Sequence, residues 1–215
     1  MFGLVTDELR LLKKLNTPAK IQDYLDSLPV NFELKEETCY SPRMVMKLNT
    51  AHCMEGAMIA ALALRVNGYP PLIMDLKSIA GEDDDHVVTL YKMYNRWGGI
   101  TKTNHGVLRY REPIYRDIRE LAASFFHEYF LDSGRKTLRS YSIPLDLSRF
   151  DKKGWITAEE HIWYVPETLD RIKHIPLVPK KHLRYLRLAD PIEIAVGKIT
   201  EWNKDGSRNF TNRRK

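Results

Sequence analysis

Apolar positions along the chain fall first into helical spacing. Leu9, Leu11, Leu12 and Leu15 follow Thr6-Asp7-Glu8, which predicts a capped amphipathic helix. Thr17 then reads as an N-cap with Pro18 at the first helical position, and Ile21, Tyr24, Leu25 and Leu28 line one face before Pro29 stops the helix. Residues 30–49 keep neither period and read as irregular. The stretch from Asn49 to Arg65 gives the strongest helical signal, with Asn49 or Thr50 as its cap and Ala, Met and Leu filling it. It is apolar nearly all round, so it belongs in the centre of a fold rather than on its surface. Asn67-Gly68 ends it in the manner of a left-handed cap, and Pro70-Pro71 prevents continuation.

The period then changes. Leu72–Leu76 predicts a buried strand and His86–Tyr94 a second one, rich in β-branched and aromatic residues. Gly98-Gly99 carries a hairpin signal that would return the chain, so that Ile100–Asn104 runs beside His86–Tyr91. Pro113 to Phe130 predicts a long helix, with Ile114, Ile118, Leu121, Phe125 and Tyr129 at helical spacing. Leu138–Ile143 predicts a strand, Thr157-Ala158-Glu159-Glu160 a helix start, and Ala189–Trp202 a last helix. The pattern gives an α+β class: a central helix on a small antiparallel sheet, with helical additions at both ends. We expect one domain over residues 1–205 and a mobile basic tail over 206–215.

Composition narrows the function classes. With 215 residues, 43% hydrophobic and 29% charged, the chain has an ordinary globular mix, which excludes a disordered or fibrous protein. The longest weakly charged stretch, Cys53–Leu64, contains Glu55 and is far short of a span of ~20 residues, so no membrane partner is expected. Acids within the first ten residues and the lack of a small-residue cleavage site argue against a secretory signal. Two cysteines exclude a disulfide framework and a four-Cys zinc site, and reduced thiols in the cytoplasm are the expectation. The net charge of +6 sits largely in two places, Lys180–Arg187 and Lys198–Lys215. No arginine–glycine repeat, zinc finger or aromatic RNP-type strand accompanies it, which argues against a nucleic-acid partner. No HExxH or CxxC occurs, neighbouring His52 and Cys53 diverge by about 100° on a helix, and Asp83-Asp84-Asp85 lacks calcium-loop spacing and reads as a solvated turn. Neither metal nor cofactor is expected.

Cys53 falls in the first turn of the central helix, where unpaired backbone N–H groups and the helix dipole favour a thiolate and can hold an oxyanion. Cys39, beside Glu36 and Glu37 in an irregular segment, does not. A strand opening at His86 can bring an imidazole to that helix terminus, as general base and then general acid. Leu108–Arg116 mixes basic and aromatic residues: Arg109 and Arg111 could hold an anionic or peptide ligand by bidentate contacts, or pack their stems on Tyr rings. Trp97 reads as core or as a cleft wall.

Taken together, Cys53-Met54-Glu55-Gly56-Ala57, the helix ending Leu64-Arg65-Val66-Asn67-Gly68-Tyr69-Pro70, the strand opened by His86 and the following Trp97 resemble the transglutaminase-like superfamily, within the papain-like cysteine-proteinase fold. The resemblance covers about residues 45–105, under a third of the chain. It implies a papain-like core and a cysteine-dependent acyl transfer or amide hydrolysis through a thioester on Cys53, with His86 as base and a peptide or amide-containing substrate near Trp97. It also implies a third member, normally Asp, on the strand after His86. No Asp lies between Asp85 and Asp117, and the window offers Asn104 and, less well, Thr103; Asp75 and Asp85 remain as alternatives. An inactive binding module with the same fold is the competing expectation.

Overall fold

The computed structural model describes residues 1–210. Helices α1 (Thr6–Lys14) and α2 (Pro18–Ser27) form where the sequence predicts them, and Thr17 Oγ1 accepts the Lys20 N–H as a cap. The segment read as irregular contains a third helix, α3 (Pro42–Leu48). Ser41 caps it through Met44 N–H, Pro42 opens it, and Asn49 closes it in the left-handed region at φ 54°. Asn49 therefore ends α3 and does not start the next helix. The central helix α4 runs Cys53–Val66 with His52, not Asn49 or Thr50, as its N-cap. Every residue from Met54 to Leu64 is buried, as a helix apolar on all sides requires. α1, α2 and α3 cover α4 on one side and the sheet covers it on the other.

The sheet is larger than expected. It contains β1 (Leu72–Lys77), β2 (His86–Met93), β3 (Arg96–Thr101), β4 (Arg111–Tyr115), β5 (Ser140–Ser142), β6 (Leu145–Asp146) and β7 (His174–Pro176). The order is β4-β3-β2-β1-β5-β7, with β6 also on β1, and all pairings are antiparallel. The last third of the chain thus adds strands as well as helices. Side chains alternate as a half-buried pleat demands: Ile73, Val87 and Tyr91 pack with α4, while Met74, Leu76, Val88 and Leu90 meet Leu121, Phe125 and Leu138 on the other face.

Several local expectations are corrected. The β2–β3 turn is made by Tyr94 and Asn95, both at positive φ, as two-residue hairpin turns require. Gly98 and Gly99 lie inside β3. A Cβ on Gly98 would stand 2.3 Å from the Tyr91 ring, so these glycines allow close packing and do not turn the chain. The long helix from Pro113 divides into the edge strand β4, helix α5 (Ile118–Ala123) and a 3-10 turn at Phe126–Glu128. An edge strand tolerates Pro113, and Asp117 restarts the chain as a helix by accepting Glu120 N–H at 2.8 Å. Thr157 lies in a turn, and helix α6 begins later (Tyr164–Arg171). Helix α7 covers only Pro191–Gly197. Beyond it the chain straps back over residues 104–106, with Gly106 N–H to Ile199 O and Glu201 N–H to Asn104 O both at 2.8 Å. Residues 206–210 of the expected tail are tied down by Asn209 N–H to Glu201 O at 2.7 Å and by the Arg208–Glu201 ion pair; residues 211–215 lie outside the described residues. Among the described residues no helix is long and apolar enough to cross a membrane.

Candidate active site

Cys53 occupies the first position of α4, where its own backbone N–H has no intrahelical partner. The preceding residue builds the local environment. His52 Nδ1 receives the Met54 N–H at 3.2 Å, and its Nε2 reaches Thr38 O at 3.0 Å and Glu55 Oε1 at 3.4 Å. Beneath the turn, the fully buried Glu55 carboxylate accepts Tyr40 N–H and the Thr38 hydroxyl at 2.9 Å and His52 N–H at 3.0 Å. Burial pushes the Glu55 carboxyl up, but hydrogen bonds and charge, led by His52, hold it below the usual carboxylate range. One acid thus staples the loop of residues 31–40 to the start of α4.

The thiol is shifted by competing effects. Burial raises it; the neighbouring rings of His52 and His86 outweigh burial and bring Cys53 down to about 6. His52 is the converse: burial favours its neutral ring, but the Cys53 thiolate and Glu55 raise it to about 11. Only a neutral ring accepts at Nδ1, so capping and charge are alternatives. The Nδ1 contact with Met54 N–H belongs to the neutral ring, and a protonated His52 would give up that cap. Cys39 contrasts with this: burial, with Glu55 next, pushes its thiol up to about 12, and its Sγ faces Ile162 O at 3.8 Å.

His86 opens β2 and lines a cleft of about 360 Å³ together with His52 and Cys53. The ring is 7% exposed, and its Nε2 is buried without a hydrogen-bond partner. The cleft is completed by Asp83–Asp85, residues 102–105, Tyr129 and the α7 end of the C-terminal strap.

The other residues singled out from the sequence are placed differently. Asn104 borders the cleft, but its amide is held by the strap: Oδ1 accepts Trp202 N–H at 2.7 Å and Nδ2 donates to Trp202 O at 3.0 Å. Thr103 Oγ1 accepts His105 N–H. Asp75 Oδ2 lies 3.0 Å from His174 Nε2, and Asp85 accepts Ser78 N–H at 2.7 Å, so neither carboxylate bonds the His86 ring. Trp97 pairs with Lys92, six residues along β2 from His86, about 20 Å away at ~3.3 Å per residue. Arg109 binds Glu201 at 2.7 Å; Arg111 binds Glu128 at 2.6 Å and stacks over Phe125 at 4.2 Å. These arginines anchor the strap and α5, and neither lines the cleft.

Two features escaped the sequence reading. Lys102 is 2% exposed and donates from Nζ to Leu25 O and Leu28 O, closing the end of α2. Burial pulls its ammonium down to about 8. The acidic turn is also tied in rather than merely solvated: Asp83 accepts the Thr137 hydroxyl, and the Tyr129 hydroxyl donates to Asp84 O. The carboxylates that do converge among the described residues are Asp75, Asp85 and Asp170, and Lys77 Nζ supplies their counter-charge, 2.8 Å from Asp170 and 3.4 Å from Asp85.

A scan of protein-family models finds no match to this chain, and a search of curated proteins finds no relative.

Proposed function

We propose that the protein is a cysteine-dependent acyltransferase or amide hydrolase of the transglutaminase-like, papain-like type, with Cys53 as nucleophile and His86 as base. The observation that carries this reading is Cys53 at the free N-terminus of a buried helix, its thiol lowered to about 6 between His52 and His86. The thiolate attacks the substrate carbonyl, forming the C–S bond, and the Cys53 N–H is placed to hold the developing oxyanion. The imidazolium of His86 gives its proton to the departing amine as the C–N bond breaks, leaving a thioester. Water or another acceptor then attacks while His86 takes its proton, and the thiol is released.

An inactive binding module is the second reading, favoured by one observation: His86 Nε2 has no acceptor to fix its tautomer. Acylation by p-nitrophenyl acetate separates the two. The enzyme reading predicts a burst of nitrophenolate, one acetyl group on Cys53 in the intact-mass spectrum, slow turnover of that thioester, and loss of the burst in Cys53→Ala. An acetyl group on Cys53 that never turns over supports the binding module; no burst at all contradicts the nucleophile assignment.

A further inference from the structure

The charge around the cleft runs against the charge of the chain. The protein carries +6 overall, yet Asp83, Asp84, Asp85, Glu128 and Asp132 line the cleft, against Lys102, Lys198 and the rings of His52, His86 and His105. Three of these acids are matched: Asp85 by Lys77 at 3.4 Å, Glu128 by Arg111 at 2.6 Å and Asp132 by Lys198 at 3.2 Å. Lys102 is 2% exposed and its ammonium is turned to the Leu25 and Leu28 carbonyls, which fix its place without cancelling its charge, so it offsets one acid of the lining. Asp83 and Asp84 have no cationic partner among the described residues.

Their hydrogen bonds come from neutral donors, which fix position without cancelling charge. Asp83 accepts the Thr137 hydroxyl and, at 3.0 Å, the Asp84 N–H; the Tyr129 hydroxyl holds the Asp84 carbonyl. Both residues directly precede the Asp85-His86 pair, so the uncompensated charge stands on the His86 wall. That wall also contains a polar group lacking a partner, the buried Nε2 of His86. Fixed charges of one sign in a cleft with low-dielectric walls concentrate the opposite ion there.

We infer that the cleft selects amide substrates flanked by positive charge, such as a polypeptide with lysine or arginine beside the reacting group, through Asp83 and Asp84. This inference rests on Cys53 being the nucleophile. It predicts the opposite of what the net charge alone predicts, which is attraction of anions.

The test uses two methanethiosulfonate reagents of opposite charge that modify Cys53, ethyltrimethylammonium and ethylsulfonate, on the full chain at low salt, with each rate taken relative to that reagent's rate with 2-mercaptoethanol so that the intrinsic preference of a thiolate for the cation cancels. On that scale the cationic reagent should react about tenfold faster or more. The ratio should shrink several-fold in Asp84→Asn, whose carboxylate makes no hydrogen bond, and in Asp83→Asn, where the amide oxygen keeps the Thr137 contact. It should also shrink as salt rises toward physiological strength. Equal relative rates, or a faster sulfonate, at a Cys53 that still reacts would overturn the charge selection and leave the nucleophile intact. An unchanged ratio in both variants would overturn the role of Asp83 and Asp84. If Cys53 reacts with neither reagent while the unfolded chain does, the nucleophile reading itself fails.

Discussion

Asn104 and Trp202 hold each other by a two-point clamp, the Asn104 amide accepting the Trp202 N–H at 2.7 Å and donating to its carbonyl at 3.0 Å. This contact joins the segment after β3 to the C-terminal strap. It also occupies the side chain that the transglutaminase-like pattern would assign to His86. The strap is reinforced on its other flank by Arg109 and Arg208, which both pair with Glu201.

Asn104→Ala should therefore act on the strap and not on the thiol. We expect a stability loss of about 1–2 kcal/mol, as for removal of paired hydrogen bonds at a partly buried site. Amide exchange should rise over residues 199–209, and the pH dependence of Cys53 alkylation should stay in place. A shifted Cys53 profile with unchanged exchange in the strap would mean that Asn104 serves His86 after all.

Gly56→Ala gives a sign test for the packing of α4. Helix propensity alone favours Ala by about 1 kcal/mol. A Cβ at this position, however, would stand 2.4 Å from Lys102 Cβ and 2.9 Å from its Cγ. Lys102 cannot swing away without leaving two carbonyls of α2 unpaired. We expect a net loss of about 1–3 kcal/mol by urea denaturation, the usual range for overpacking. A stabilised variant would show that Lys102 does not sit against α4.

How far the sequence led depends on the range of the forces involved. α2, α4, β1 and β2 were legible because their signals are local: Thr17-Pro18, the apolar run from Ala57 to Leu64, and β-branched residues after His86. Cys53 and His86 were legible for the same reason, as a helix start and a strand start. Helix α3 went unread although Ser41-Pro42 and Asn49 mark its ends, because it is short. Pro113–Phe130 misled because its 3.6-residue spacing is interrupted by the edge pairing of β4 with β3, a contact set elsewhere in the chain. Asn104 was illegible in a stronger sense, since its partner lies 98 residues away. Lys102 looks like any surface lysine until Gly56 and the end of α2 are placed beside it. His52 carried a signal, its adjacency to Cys53, whose meaning emerged only once it was seen to cap α4.

Glu55 makes stability depend on acid. Its carboxyl titrates lower in the folded protein than its ordinary value of 4.5, so its contribution is complete above that value and is lost as pH falls through the folded pKa. Glu55→Gln replaces an acceptor of Tyr40 N–H, His52 N–H and the Thr38 hydroxyl with a group half of which donates. We expect a loss of about 3 kcal/mol at neutral pH and a shallower fall below pH 4.5 than in the wild type. Urea midpoints measured across the acid range check both parts; a variant as stable as wild type at neutral pH would contradict the stapling role.

The most direct test of the account is the rate of iodoacetamide alkylation at each cysteine of the folded protein as a function of pH. Thiolate fraction rises with pH through the thiol pKa, so Cys53 should reach half its maximal rate near pH 6 while buried Cys39, pushed up to about 12, stays unreactive across the neutral range. Replacing His86 by Ala should move the Cys53 midpoint upward by removing one of the two rings that lower it. A Cys53 midpoint at the ordinary thiol value of 9.0, or a Cys39 that reacts first, would contradict the assignment of Cys53 as an activated nucleophile.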